Sequence, residues 1–294
     1  MPKPTRTVPQ EEKKPQTPPP DANAYEWGNE EATGFEGTRP EDFGIPFLVM
    51  LQKGSAEVDE GHPDYPQKKI EGARAGWVIN TVTRQVVYNK DEKKPLLVIP
   101  LFHEKLYPEW KSKKDGGGFV KNHTSPAILT QCKRNDKNED VLPNGNIIRT
   151  TSYFSLFMLV DGNTNMEHED ESKRPVRVIL PMSSTQLKNG RKWLNMMDAI
   201  KISGRTPPMY SHIYALTSAP ESNDKGNWMG WHPEIYRVLN LADVSTITSA
   251  KQVSAAAAKS SGKLIGAPAD DVDPADAAAD ELGAEANRKV ARQG

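Results

Sequence analysis

Cysteine is almost absent from this sequence of 294 residues, because Cys132 is the only one. A lone cysteine excludes a disulfide within the chain. It also excludes a structural zinc site that takes two or more thiolates from one chain. Disulfides belong to oxidising compartments, so their absence favours a reducing one. We therefore expect a cytoplasmic protein.

Long apolar runs and an excess of positive charge are also missing. The longest apolar run is Leu156–Val160, whereas a membrane helix needs about 20 residues. The N-terminal residues contain no apolar segment typical of a secretion signal. The formal net charge is −1, so the chain as a whole does not attract polyanions. The sequence predicts a soluble protein with no membrane partner, in which any nucleic-acid site depends on local clusters of charge.

Core-forming residues are scarce at both ends of the chain. Residues 1–38 are rich in proline and glutamate, and residues 261–294 consist largely of alanine, aspartate, proline and glycine. Such compositions cannot bury enough apolar surface to fold. We predict two disordered tails around one folded domain at 39–260. In the second tail, 266–286 carries seven acidic residues and no basic one. The basic end that follows contains Arg288, Lys289 and Arg292.

The central region predicts a β-rich domain of the α+β class. Short runs of β-branched and aromatic residues alternate with turn signals such as Pro143–Asn146. The main helix is expected at Thr185–Ile202 with Ser184 as its N-cap. A last helix is expected to begin at a cap formed by Asp243. Many short strands with one main helix favour a curled or barrel-like, OB-like antiparallel sheet. Strands are predicted at 77–82, 85–88, 96–106, 127–132, 147–160, 176–182, 209–217 and 228–238.

Motifs for catalysis are not evident. The sequence lacks a complete nucleotide-phosphate loop and a calcium loop, and its six histidines show no spacing typical of metal ligands. Asp64, Glu109 and Lys111 follow one another in the order found in metal-dependent nucleases, which keeps a nuclease as a lesser alternative. We expect a binding protein rather than an enzyme, with no catalytic residue, no metal ligand and no cofactor.

The segment 101–134 combines basic and aromatic residues. It carries a net charge of +4, from seven basic and three acidic residues, around the glycines at 116–118. Lysines neutralise phosphates, and aromatic rings stack on bases. The alternative is a solvated hairpin with aromatic core residues, and for Trp110 both interpretations stay open. The candidate DNA-binding residues here are Lys105, Tyr107, Trp110, Lys111, Lys113, Lys114, Phe119 and Lys121.

A second candidate surface lies on the predicted main helix. It combines Lys188, Arg191 and Lys192 with Trp193, and the alternative is a solvated helix face with Trp193 partly buried. A third signal is the WMGW sequence at 228–231. Its two tryptophans do not alternate like residues of a strand, so one of the rings is a candidate for exposure.

Seven motifs stand out between residues 40 and 240. They are FLVMLQ at 47–52, GWVINTVT at 76–83, YPEW at 107–110, GGGFV at 116–120, LPNGN at 142–146, MSSTQLK at 182–188 and WMGW at 228–231. Together they resemble a family of tailed-phage proteins that is similar to products of replication and recombination modules. The resemblance implies single-stranded DNA binding in the cytoplasm of the host, and it carries over no catalytic residue.

The expected ligand is single-stranded DNA, bound by lysine–phosphate contacts and aromatic–base stacking during phage DNA replication or recombination. The acidic tail is expected to screen the binding groove and to recruit phage replication proteins. Self-association of the chain stays open. The main alternative is a structural protein of the virion or of its assembly.

Overall fold

The structure is a computed structural model that describes residues 46–112, 114, 116–224 and 226–259. These residues all belong to one unit of the chain, Phe43–Gly294. The predicted tails at 1–38 and 261–294 lie outside the described residues, so the predicted domain boundaries stay predictions.

Two antiparallel sheets form the described fold. The smaller one contains β1 (Leu48–Met50), β2 (Val78–Asn80) and β3 (Val86–Tyr88). The larger one contains β4 (Leu96–Trp110), β5 (Phe119–His123), β6 (Lys133–Arg134), β7 (Asp140–Val141), β8 (Ile147–Ile148), β9 (Thr151–Met158), β10 (Val176–Ser183), β11 (His212–Asn223) and β12 (Gly226–Val238). The helices are α1 (Tyr65–Lys68), α2 (Leu187–Ala199) and α3 (Val244–Lys259).

The larger sheet is organised around β4. The first part of β4 pairs with β9 and β11, and its last residues pair with β5 and β8. β10 continues the sheet beyond β9, and β12 continues it beyond β11. The sheet curls into a half-barrel with few helices, which confirms the predicted β-rich α+β fold.

Strand β9 is buried on both faces of the sheet. All eight of its residues are buried, because alternate side chains enter two different clusters. Phe154 and Leu156 pack in the main core, together with residues of α2 and β10. Phe157 packs in a second cluster with Ile99 and with Ala250 of α3. A strand covered on both faces is expected to be rich in apolar residues, and β9 is so, with Thr151, Ser152 and Ser155 as its polar residues.

Helix α2 crosses the main core. Trp193 is fully buried, with its ring centroid 4.8 Å from that of Phe154 and 5.5 Å from that of Tyr214. Gly190 allows a close approach, since a Cβ there would lie 3.2 Å from the sulfur of Met182. The apolar stripe of the helix is therefore part of the barrel core.

Helix α3 is fixed at its start by a buried carboxylate. Asp243 is 2 % exposed and accepts hydrogen bonds from both terminal nitrogens of Arg237, at 2.7 and 2.9 Å. It also accepts from the hydroxyl of Thr164 and from the backbone N–H of Asn240. These bonds, first of all those from Arg237, hold the pKa of Asp243 far below its usual range.

Four predictions about local structure need correction. The segment predicted as a strand at 127–132 is a 3-10 helix, Pro126–Gln131, because Ser125 caps it and proline begins its first turn. α2 ends three residues before the predicted 202. Ser184 is not its cap, since it starts a 3-10 turn with φ of 49°. Asn240, rather than Asp243, caps the last helical segment, and Asp243 completes the capping box.

Other predictions agree with the structure. The strand at 96–106 exists and continues to Trp110. The hairpin at 77–88 and the strands at 176–182 and 228–238 are present, with shifted ends, whereas the strand predicted at 147–160 is divided into β8 and β9. The strand predicted at 209–217 begins at His212, after a 3-10 turn. Within the described part of the chain, no helix is long and apolar enough to cross a membrane.

Candidate nucleic-acid interface

The last residues of β4 begin an extension of the large sheet, called the arm here (residues 107–149). It contains β5 to β8 and has a small apolar core of its own, built around Tyr107, Leu142 and Ile148. The β4–β5 connection contains the three glycines at 116–118, whose φ angles of 91°, 67° and 100° are disfavoured for other residues. Glycine therefore permits the tight reversal that brings the two strands together.

Glu109 ties three parts of the arm together. Its carboxylate is buried, and one oxygen lies 2.8 Å from Nε2 of His123 on β5. The other oxygen accepts a hydrogen bond of 2.6 Å from the amide of Asn146, in the turn before β8. Burial alone would raise the pKa of Glu109, but hydrogen bonds from Asn146, His123 and Asn144 outweigh it and lower the pKa. The buried acid is an organising residue of the arm.

Four of the predicted lysines lie on the outside. Lys105, Lys111, Lys114 and Lys121 are exposed, and none forms an ion pair with another described residue. Lys113 lies outside the described residues. The acid nearest to them along the strand, Glu109, is engaged by His123 and Asn146 instead. The four ammonium groups are therefore available to an anionic ligand.

The aromatic residues of the arm behave differently from the prediction. Trp110 is only 5 % exposed and packs edge-on against Phe119, with ring centroids 5.5 Å apart. Tyr107 is also buried, in the core of the arm. A ring enclosed on both faces offers no surface to a base, so the assignment of Tyr107 and Trp110 as stacking residues is corrected. Phe119 is half-buried and keeps part of its surface.

On α2 the basic residues are exposed and the tryptophan is not. Arg191 and Lys192 point outward without an ion pair to any described residue. Lys188 is already engaged, because its Nζ lies 3.0 Å from a carboxylate oxygen of Glu221. Trp193 is fully buried in the barrel core, so its predicted role in DNA binding is corrected.

The third predicted surface, at the WMGW motif, is in contact with the second one, on α2. Nζ of Lys188 lies 5.2 Å from the centre of the Trp228 ring, and the indole N–H of Trp228 donates to Glu221 at 2.8 Å. Trp228 and Trp231 are both buried, at 5 % and 4 % exposure. The WMGW motif thus forms core contacts beneath α2 and leaves neither ring free.

The exposed cations of α2 and of the arm share one face of the large sheet. His103 on β4 contacts Phe154, which packs against α2, with ring centroids 4.8 Å apart. Lys105 follows two residues later without a register shift, so its side chain points to the same face. Lys121 also shares that face, because it pairs with Glu109, four residues beyond Lys105. Two separately predicted surfaces are therefore parts of one side of the sheet.

The residues of the nuclease alternative do not meet. Asp64 precedes α1 and forms an ion pair with Lys68 at 3.8 Å, whereas Glu109 is enclosed in the arm. Across the described ranges, no group of three or more histidine, cysteine or acidic residues could hold a metal ion. These observations give no support to metal-dependent cleavage.

A family model described as Pam3 phage gp34-like protein matches residues 11–262. The chain belongs to this phage protein family. Its predicted resemblance to a tailed-phage family is therefore confirmed at the level of the phage family. Comparison with curated proteins and with solved structures gave no match.

Sequence reasoning missed the partners of Glu109. His123 and Asn146 are 14 and 37 residues away from it along the chain, and only the pairing of β4 with β5 and β8 brings them together. The sequence at 143–146 predicts a turn, but it does not indicate that the side-chain amide of Asn146 donates a hydrogen bond to Glu109. No pattern in the sequence indicates such a contact.

Proposed function

We propose that this phage protein binds single-stranded DNA during DNA replication or recombination, through lysine–phosphate contacts along the arm. The observation that supports this most directly is the set of exposed lysines around the glycine turn. Lys111 and Lys114 follow β4, and Lys121 lies on β5, all without ion pairs to described residues. Cations that are not neutralised by the protein itself favour a polyanion.

The buried aromatic residues change how binding occurs. Of the aromatic residues predicted to stack on bases, Phe119 alone keeps exposed surface, and Tyr107, Trp110 and Trp193 belong to cores. Phosphate contacts, which are independent of sequence, therefore dominate the proposed interface. Affinity should depend strongly on salt and only weakly on the sequence of the strand.

The proposal is for a binding protein and not for an enzyme. Glu109, the acid placed among the lysines, is fully engaged by His123 and Asn146. Its lowered pKa keeps it ionised and accepting hydrogen bonds, which is a structural role.

The test is a titration of a labelled oligothymidylate, followed by fluorescence anisotropy, between about 50 and 200 mM salt. Replacing Lys111, Lys114 and Lys121 by alanine should reduce the magnitude of the logarithmic salt slope by roughly two, at about 0.7 per lost phosphate contact. A matched control replaces three exposed lysines elsewhere, Lys93, Lys251 and Lys259. Equal slopes for both triple variants would remove the arm as the interface. No binding by the parent would remove the proposed function.

A structural protein of the virion or its assembly is the second candidate. A group of exposed apolar side chains between β12 and α3 favours it, because large exposed apolar patches often mark protein interfaces. Leu241 is 91 % exposed, and its exposed neighbours along the chain are Ile235, Tyr236, Val238 and Val244. β12 pairs only with β11 among the described strands, so a second copy of the chain could extend the sheet at this edge. Light scattering that shows a stable oligomer, together with no response to oligonucleotides, would favour this candidate.

A further inference from the structure

A cavity of about 170 Å³ opens beside the C-terminal half of α2. Leu194, Met197 and Ile200 line it from the helical side, and Met209 lines it from the turn before β11. At about 30 Å³ per water molecule, the volume equals several waters, and it is smaller than the roughly 300 Å³ of a site for a drug-sized ligand. It suits a single flat ring better than a larger molecule.

One wall of this cavity is formed by Tyr214, whose hydroxyl group has no partner among the described residues. Tyr214 is 1 % exposed and packs edge-on against Trp193. No described residue forms a hydrogen bond with its hydroxyl. Burial raises the pKa of Tyr214 to about 12, so the group is a neutral donor at physiological pH. A hydroxyl that no protein group engages at the wall of a cavity can donate a hydrogen bond to an acceptor that a ligand supplies.

Cationic side chains surround the entrance. Arg191 lies one helical turn before Leu194, and Arg205 follows in the turn after α2; both are exposed and have no ion pair within the described ranges. Lys201 bridges the rim, donating to the carbonyl of Asp198 and to the hydroxyl of Thr206. An apolar interior with basic groups outside is complementary to a base that carries phosphates on either side.

We infer that this cavity holds one base of a DNA strand, with Arg191 and Arg205 placed for the neighbouring phosphates. The inference rests on the proposed function and adds to it a subsite outside the arm. A base offers carbonyl or ring-nitrogen acceptors to the hydroxyl of Tyr214. Met197 and Met209 are among the lining residues, and thioethers contact aromatic rings favourably. The carboxylate of Asp198 at the wall can accept from the ring N–H of thymine.

The experiment compares an oligothymidylate with an abasic phosphodiester strand of the same length. The parent should bind the strand with bases more tightly. Tyr214→Phe removes only the hydroxyl and should weaken binding to the oligothymidylate roughly threefold to tenfold, the value of one hydrogen bond. It should leave affinity for the abasic strand unchanged. Tyr236→Phe, at an exposed tyrosine, is the matched control.

A second variant keeps the test decisive if Tyr214→Phe proves unstable. Met209→Trp fills the cavity from the half-buried turn and should also lower affinity for the oligothymidylate alone. Equal binding of both strands by the parent, or unchanged affinities in both variants, would overturn the base subsite while leaving DNA binding through the arm intact. If the parent binds neither strand, the proposed function itself fails. If an aromatic peptide quenches the tryptophan fluorescence of the protein and neither DNA strand does, the cavity binds a protein partner. That result would likewise overturn the inference.

Discussion

Nε2 of His123 lies 2.8 Å from a carboxylate oxygen of Glu109, and this contact joins β5 to β4 inside the arm. The same carboxylate accepts a hydrogen bond from Asn146. A single buried acid therefore holds the hairpin and the turn before β8 in one arrangement. The exposed lysines of the arm depend on it for their positions.

Replacement of Glu109 by glutamine should destabilise the arm by about 1–3 kcal/mol, because an amide N–H₂ would face a donor where the carboxylate accepts. The pKa of Glu109 is lowered in the folded protein. Its stabilising effect is thus fully present above the unfolded pKa, about 4.3, and is lost as pH falls through the folded pKa. Urea unfolding at neutral and acidic pH should show the difference between parent and variant shrinking on acidification. Glu60→Gln, at an exposed position, is the control; a constant difference would contradict the assignment.

Trp110→Ala should act on stability and not on base stacking. The ring is buried against Phe119, so its removal should cost about 3 kcal/mol or more of the free energy of unfolding. Trp110→Phe should cost much less, since the indole N–H has no hydrogen-bond partner among the described residues. Thermal unfolding measures both. A folded Trp110→Ala variant with unchanged stability and weaker DNA binding would show that the ring is exposed to the ligand in solution.

Asp243→Asn should loosen α3 from the barrel. The variant loses the charged, bidentate contact with Arg237, and breaking a buried pair of this kind costs about 3 kcal/mol. Because the pKa of Asp243 is lowered, this stabilisation is present above about pH 3.9 and disappears only at lower pH. Hydrogen exchange should rise first in 244–259, with Asp136→Asn as the exposed control. Uniform exchange across the domain would show that the contact does not act on α3.

Deletion of residues 266–294 should strengthen binding to single-stranded DNA at low salt. The segment 266–286 carries a charge of −7, which under the proposed function would compete with phosphates for the lysines. Arg288, Lys289 and Arg292 are removed as well, so the gain should be modest. Anisotropy titrations at low and high salt measure it, and the gain should fade as salt screens the charges. Equal affinities of the parent and the deletion variant at low salt would show that the tail contributes only to solubility.

The fold was largely predictable, because its strands carry their own signals. β9 and β10 are rich in aromatic, β-branched and other apolar residues, and the turn at 143–146 has the expected composition. The prediction of a strand at 127–132 is wrong. The apolar run there is compatible with a strand, but Ser125 and Pro126 begin a helical turn before it. The structure of such a short element depends on its first residues, and here Ser125 and Pro126 have more influence than the apolar run that follows them.

The candidate site was harder to predict, because exposure depends on contacts far along the chain. Trp110 stands between Glu109 and Lys111, which suggested exposure, yet Glu109 is itself buried. The exposure of the lysines is predictable from their charge alone, because a charged ammonium group lies in solvent unless the protein provides it with a partner. The cavity at Tyr214 is formed by α2, the turn at 206–209 and β11, and no single segment indicates it.

The 15 residues of β4 run without interruption from the barrel into the arm. At about 3.3 Å per residue, such a strand spans up to about 50 Å. β4 fixes the distance between the two parts of the sheet, because neither of its ends can shift without breaking the hydrogen bonds that β9 and β5 make with it. Lys105 on β4 and Lys121 on β5, opposite Glu109, are therefore held at a fixed spacing, and a ligand that touches both must bend or stretch to fit that spacing.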